Sequence, residues 1–312
     1  MKVKGLTSSK CLHEVHLTKS VLGISSMVML LLSIIAIVGL VSLSTPRIVD
    51  AQSAGVDKFG IRKLYATKSG GQEWYIYMPN PKSDPRFNPQ STITKNADGS
   101  WKITSTKVRL NVYTSTGYDQ SKITTYNQKL LQSKGYMQAA NDWRNVEMTG
   151  YVKVNARSTD DNYAWYNRGG RHTDSVPCEG TGYKGGLYYS GKTRFAKEQW
   201  HVSYVFSPTD PATSSLVGKW IGFKFVVYNF VLNGKTVVKT QNWLNVNNDK
   251  ITWVRVDQNI DAGGWGTAGT RCSGSADQIM TWGGPIATFR WDSATNTDFK
   301  NLSVREIQPP LS

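Results

Sequence analysis

The sequence predicts an all-β protein, a two-sheet antiparallel jelly-roll β-sandwich with one short helix. Three observations predict it. Roughly a dozen short segments are dense in aromatic and β-branched residues and alternate in polarity. Turn signals built from Gly, Pro, Asn and Asp separate those segments. Helical spacing of apolar residues occurs in one stretch only, 119–134, where Ile123, Tyr126, Leu130 and Leu131 recur and Gly135 terminates. Half-buried strands of this kind bury one face and solvate the other, which two packed sheets satisfy.

The first fifty or so residues stand apart. Lys2, Lys4, Lys10 and Lys19 precede an uncharged run over 21–43, and Val49-Asp50-Ala51 offers small residues where a signal peptidase reads. Residues 1–51 are therefore either a signal peptide cleaved near Ala51 or an uncleaved N-terminal membrane anchor, the run being long enough to span a bilayer. Both place the remainder outside the cell, secreted or held at the outer face of the membrane. Residues 52–71 show no periodicity and read as a linker or an opening strand, and 72–312 suits a single sandwich domain.

The chain carries a formal charge of +15, and setting aside 1–51 removes five basic and two acidic residues, which leaves +12. Such a surface favours polyanions, and outside a cell these are chiefly acidic polysaccharides and glycans. No nucleic-acid motif is visible, so no nucleic-acid partner is expected. Of three cysteines, Cys11 lies in the targeting segment. Cys178 and Cys272 are exported together and are expected to pair, closing a loop of about 95 residues worth roughly 4 to 5 kcal/mol. Neither has the neighbouring thiol or spaced histidine that a metal site needs, and no loop has the oxygen count of a calcium site. No metal and no cofactor are expected.

Along the chain, strands are expected at 73–78, 101–103 and 108–113, followed by the helix and then a strictly alternating strand at 143–155. In that last strand Glu147 and Tyr151 share the polar face. Residues 160–191, rich in Gly, Tyr, Asp and Arg, read as a long irregular insertion carrying Arg168, Arg171 and Cys178. Asn233-Gly234 between two apolar runs is a type I′ hairpin signal joining 223–232 to 235–241. Further strands are expected at 251–256, 278–282, 287–291 and 299–307, with Trp265 in a Gly-rich loop between them.

Residues 192–229 concentrate the chemistry. Read as one strand, 192–206 places Lys197, Gln199 and His201 on one face and Trp200, Tyr204 and Phe206 on the other. In the next strand Lys224, Val226 and Tyr228 share a side. Side by side in one sheet, these strands would gather a Gln, a His, a Lys and a Tyr on one surface.

Gln199-Trp200-His201, and Phe223-Lys224 with Val227-Tyr228-Asn229, resemble the Q-I-H and Y-F-K-A-G-x-Y-N-Q strands of the alginate-lyase-like polysaccharide lyases, within the concanavalin-like lectin and glucanase superfamily. The resemblance implies β-elimination on an acidic polysaccharide. Gln199 would help neutralise the uronate carboxylate, with an arginine such as Arg171, and His201 and Tyr228 would serve as base and acid. Lys197, Lys224, Arg168, Arg194, Glu147, Tyr151 and Trp265 would then contact substrate. The arginine-rich strand of that family has only partial counterparts, at 194–198 and 168–171. Phe230 replaces the final Gln of the tyrosine strand.

Hydrolysis fits less well, since it wants two carboxylates across a groove and no E-x-D-x-x-E run is present. A non-catalytic glycan-binding module remains the alternative, with Trp165, Tyr166, Tyr183, Trp265 and Trp282 as stacking platforms or as core. A structural cell-surface domain is the third reading.

Overall fold

The computed structural model describes residues 54–114, 143–169, 180–201, 203–272 and 275–310. Sixteen strands run through them: β1 (Glu73–Tyr75), β2 (Phe87–Pro89), β3 (Thr94–Lys95), β4 (Trp101–Ile103), β5 (Lys107–Tyr113), β6 (Val146–Arg157), β7 (Asn162–Gly169) and β8 (Gly182–Tyr188). Then follow β9 (Lys192–Gln199), β10 (Ser203–Phe206), β11 (Asp210–Pro211), β12 (Ile221–Leu232), β13 (Lys235–Asn245), β14 (Val254–Asp261), β15 (Ile286–Asp292) and β16 (Ala294–Glu306). The helix expected at 119–134 lies outside the described residues.

The strands form two antiparallel eight-stranded sheets, the sandwich that the alternating segments predict. Sheet A has the order β14-β13-β12-β6-β16-β4-β3, with β1 also on β16, and sheet B the order β10-β9-β8-β7-β15-β5-β2, with β11 on β9. Their inner faces interdigitate: Trp165 of sheet B meets Phe223 of sheet A with ring centroids 4.6 Å apart, and Phe289 of its own sheet at 4.8 Å. The Asn233-Gly234 hairpin forms as the sequence predicts. Leu232 pairs with Lys235 across a two-residue turn in which both residues take the positive φ that a type I′ turn requires.

Four expectations are corrected. Where residues 160–191 are described, they are not an irregular insertion, because β7 and β8 are central strands of sheet B. Their glycines disguise them. A β-carbon at Gly185 would collide with Phe225 and Asn242 of sheet A, so a strand that approaches the opposite sheet this closely is written with glycine and reads as loop.

The stretch 192–206 is not one strand. Trp200 and His201 both take φ of 56°, the chain reverses, and β10 folds back on β9 with Tyr204 opposite Glu198 and Phe206 opposite Ala196. This hairpin belongs to sheet B, whereas β12 belongs to sheet A, so the two strands expected side by side lie in different sheets.

Residues 54–67, expected to lie in a linker or an opening strand, are a strap packed on the outer face of sheet A. Ile61 and Leu64 are buried there with Tyr151, Val226, Tyr228, Trp253 and Ile307. The Leu64 amide donates to Glu147 Oε2 at 3.1 Å, and Thr67 bridges to Ile307. Lastly, 278–282 forms no strand; it is part of a loop that closes one end of the sandwich.

Candidate functional site

The outer face of sheet B is hollowed into a groove of about 570 Å³. Strand alternation supplies its lining: Lys107, Arg109 and Asn111 from β5, Asn162, Ala164 and Tyr166 from β7, and Lys184 and Gly186 from β8. Arg194 and Ala196 come from β9, Thr288 and Arg290 from β15, and His201, Tyr204 and Phe206 from the hairpin. Five lysines and arginines thus share one groove with the rings of Tyr166, Tyr204 and Phe206. Tyr204 and Phe206 stand at its rim, 43% and 47% exposed.

Glu198 organises one end. It is fully buried, its Oε1 accepts the Tyr204 hydroxyl at 2.6 Å, and the same oxygen lies 2.6 Å from His201 Nδ1. With Glu198 ionised the carboxylate can only accept, and Nδ1 would then carry the proton of that contact. Lys184 Nζ lies 2.8 Å from Oε2, and above the rings of Tyr204 (4.4 Å) and Tyr166 (4.7 Å). Burial pulls the Lys184 pKa down, and Glu198 works against that shift. Burial, reinforced by Glu198, pushes the Tyr204 hydroxyl well above the ordinary tyrosine range, so it stays protonated.

The other side is guanidinium-rich. Arg290 and Arg109 face each other directly across β15 and β5, an arrangement that repels unless bridged. Asp292 bridges them, taking Arg109 at 2.7 and 3.2 Å and Arg290 through Oδ2. Burial alone would raise the Asp292 carboxyl, but the two guanidiniums outweigh it and its pKa is lowered. Two cations on one carboxylate leave a net positive charge. Arg194 has no such counter-charge: its guanidinium lies 3.8 Å from the Phe206 ring centre and 5.1 Å from that of Tyr188, and among the described residues it makes no ion pair.

Of the residues singled out from the sequence, Tyr166, Arg194 and His201 line this groove and the others described do not. Lys197 and Gln199 point the opposite way, toward sheet A, where they hold the closing loop. Lys197 Nζ meets Asp261 at 2.6 Å and the carbonyls of Trp265 and Asp277 at 2.7 and 3.0 Å. Gln199 donates to the Ala276 carbonyl and accepts from the Ala268 amide. Within β9 Lys197 and Gln199 share a face as the alternation predicts, but that face is the buried one because a loop supplies its partners; His201, expected on the same face, lies past the reversal and lines the groove instead.

Tyr228 lies on the outer face of sheet A, buried against Tyr65 at 5.6 Å, and does not meet His201. Lys224 is buried beside it, paired with Glu147, which Arg305 also contacts at 2.7 Å. Burial works to raise the Glu147 carboxyl, and these two cations lower it on balance. Tyr151 lies in the same layer and donates to Asn245 Oδ1. Arg168 is fully buried and donates to the Arg144 and Met280 carbonyls and to the side chains of Asn229 and Asn145; burial lowers its pKa to about 9. Trp265 packs against Tyr183 at 6.0 Å. Arg171 and Cys178 fall outside the described residues, and the backbone of Cys272 closes the 3-10 turn Gly269–Cys272. Trp165, Tyr183 and Trp282 are buried, whereas Tyr166 contributes to the groove.

Sequence reasoning missed Lys184, Tyr204, Phe206, Arg109 and Arg290 as site residues. Tyr204 and Phe206 had one available signal, since they share parity with Glu198 and Arg194. The groove arginines had none, for β5 and β15 become neighbours only in the sheet.

The molecule is therefore a two-sheet β-sandwich bearing a basic, aromatic-rimmed groove on one outer face. No family model matches the sequence, and no curated protein matches it. Among solved structures it is similar to the VIP36 exoplasmic/lumenal domain in its Ca²⁺/Man3GlcNAc-bound form, at 8% identity over 76% of this chain and 90% of that one, with a TM-score of 0.45. The Emp46p carbohydrate recognition domain matches at 8% identity over 74% and 92%, TM-score 0.41. Alginate lyase vAL-1 from Chlorella virus matches at 9% identity over 72% and 95%, TM-score 0.37. Likeness at this level passes no residue's role to this chain.

Proposed function

We propose that this protein binds an extended acidic polysaccharide along the groove of sheet B, as a domain exported from the cell. The observation that carries the reading is the groove itself, where five cationic side chains lie among Tyr166, Tyr204 and Phe206. Aromatic faces stack on sugar rings, guanidinium forks take carboxylates or sulfates, and the charge of +12 on residues 52–312 draws a polyanion in. The test is titration with an acidic polysaccharide and its neutral counterpart at low and high salt. The reading expects binding of the acidic polymer that weakens with salt, and equal or absent binding of both polymers sinks it.

A second reading, cleavage by β-elimination, is favoured by one observation: His201 and Tyr204 meet on Glu198 inside the groove. Elimination needs a base at the acidic carbon and a proton donor to the leaving oxygen. A histidine and a tyrosine kept protonated supply those types, whereas the distant Tyr228 does not. Appearance of an ultraviolet-absorbing unsaturated uronate on mixing with substrate is the readout, and a bound but unchanged polymer leaves a binding module.

A further inference from the structure

The outer face of sheet A, on the opposite side of the sandwich, has a different character. Two turns meet there, one in the strap at 55–63 and one at 245–253. The Arg62 amide donates to the Lys250 carbonyl at 3.0 Å, and Lys250 Nζ donates back to the Phe59 carbonyl at 2.9 Å. Between them these turns expose Val56, Val246 and Ile251 at 53%, 49% and 47%. Lys58 is exposed, and Arg62, Lys63 and Lys250 are half-buried.

The two carboxylates of these turns are spent internally. Asp57 Oδ1 accepts the amides of Phe59 and Ile61, and Asp249 Oδ1 those of Ile251 and Thr252. Close to Lys250, Lys300 and Lys153 lie over the Trp220 ring at 4.2 and 5.4 Å. Lys153 pairs with Asp298 at 3.2 Å, whereas Lys300 makes no ion pair among the described residues. Burial and the neighbouring Lys250 and Lys153 lower the Lys300 pKa, and Asp98 opposes them.

We propose that this face docks on an anionic phospholipid bilayer. Apolar tips set among lysines and an arginine suit the headgroup region, where the cations meet phosphates and the tips reach the acyl boundary. A soluble polyanion would use the cations but gains nothing from exposed Val56, Val246 and Ile251. Chain connectivity points the same way. In the sequence Val56 lies thirteen residues after the end of the uncharged run over 21–43. A connection of thirteen residues spans at most about 45 Å, so a retained N-terminal anchor would keep these turns within that reach of a membrane. The proposal rests on retention of that anchor, and its consequence is that the groove of sheet B faces away from the bilayer, open to polymer.

The full chain reconstituted in nanodiscs of phosphatidylcholine, with and without phosphatidylglycerol, tests this by hydrogen exchange. Slower exchange at 54–63 and 246–253 in the anionic discs, reversed by high salt and absent at the 199–206 hairpin, is the expected result. Paired variants Lys250→Glu with Lys300→Glu, and Val56→Ser with Ile251→Ser, should each abolish that protection while β6 and β12 keep theirs, which shows the fold intact. Equal exchange in both lipids overturns the proposal. So does protection of the same segments by a soluble acidic polysaccharide or by inorganic phosphate without lipid. Polysaccharide titration on the same discs reports separately on the groove.

Discussion

Glu198 Oε1 lies 2.6 Å from His201 Nδ1, although the residues are three apart in sequence and the chain reverses between them. The same carboxylate binds Tyr204 and Lys184, so one buried side chain fixes three groups of the groove. Glu198→Ala should therefore destabilise the protein by about 3 to 5 kcal/mol, because Lys184 is left buried without its counter-charge. Urea denaturation measures it, and Glu198→Gln combined with Lys184→Met should recover much of the loss.

Recognition of an acidic polymer should depend on the guanidiniums that keep charge to spare. Arg194→Gln and Arg290→Gln are each expected to weaken binding of an acidic polysaccharide by roughly tenfold, about 1.4 kcal/mol, and to flatten its salt dependence. Binding of a neutral glycan should not respond. Titration calorimetry at two salt concentrations makes the comparison.

Tyr204→Phe separates the two readings of the groove. It removes a hydroxyl and little packing, so an eliminase should lose roughly 10²-fold or more in turnover while holding its polymer. A binding module should lose affinity only slightly.

Asp257 gives a pH signature independent of the groove. Its Oδ2 is buried with no hydrogen-bond partner among the described residues, and burial, with nearby Asp210 adding to it, raises the pKa to about 6. A carboxyl raised in the folded state favours the protonated protein, so its contribution is fully present below the unfolded value near 4 and is lost as pH rises through 6. Asp257→Asn should accordingly raise the melting temperature at pH 7.5 and leave it unchanged at pH 4.

If the domain is exported as proposed, a disulfide is expected. Peptide mass spectrometry of the protein recovered from outside the cell should find Cys178 joined to Cys272, and two free thiols there would remove the pairing.

Much of sheet A could be read directly. In β12 the alternation puts Phe223, Phe225 and Val227 into the core and Lys224, Val226 and Tyr228 on the far side, as found, and Asn233-Gly234 fixes the partner strand. Sheet B was harder. Its glycines at 185 and 186 mimic a loop, and the reversal at Trp200 and His201 has no Gly, Pro or Asn to announce it. A positive φ at two such residues is held by tertiary packing rather than local preference, and Trp200 is indeed buried, against Trp282 at 6.0 Å.

The sequence by itself determined the class, the strand count to within a few, the register of the central hairpin and, in β12, which residues share a face. Those properties follow from side-chain periodicity and turn chemistry, which act over a handful of neighbouring residues. Tertiary structure alone decided which face of β9 is wet. Lys197 and Gln199 look like surface residues until Asp261 and the carbonyls of a loop about 65 to 80 positions away satisfy them, and only then does burial cost less than exposure. The groove was decided the same way. Arg109 and Arg290 lie 181 residues apart and become neighbours only because β5 and β15 pair, with Asp292 holding together two charges that would otherwise repel.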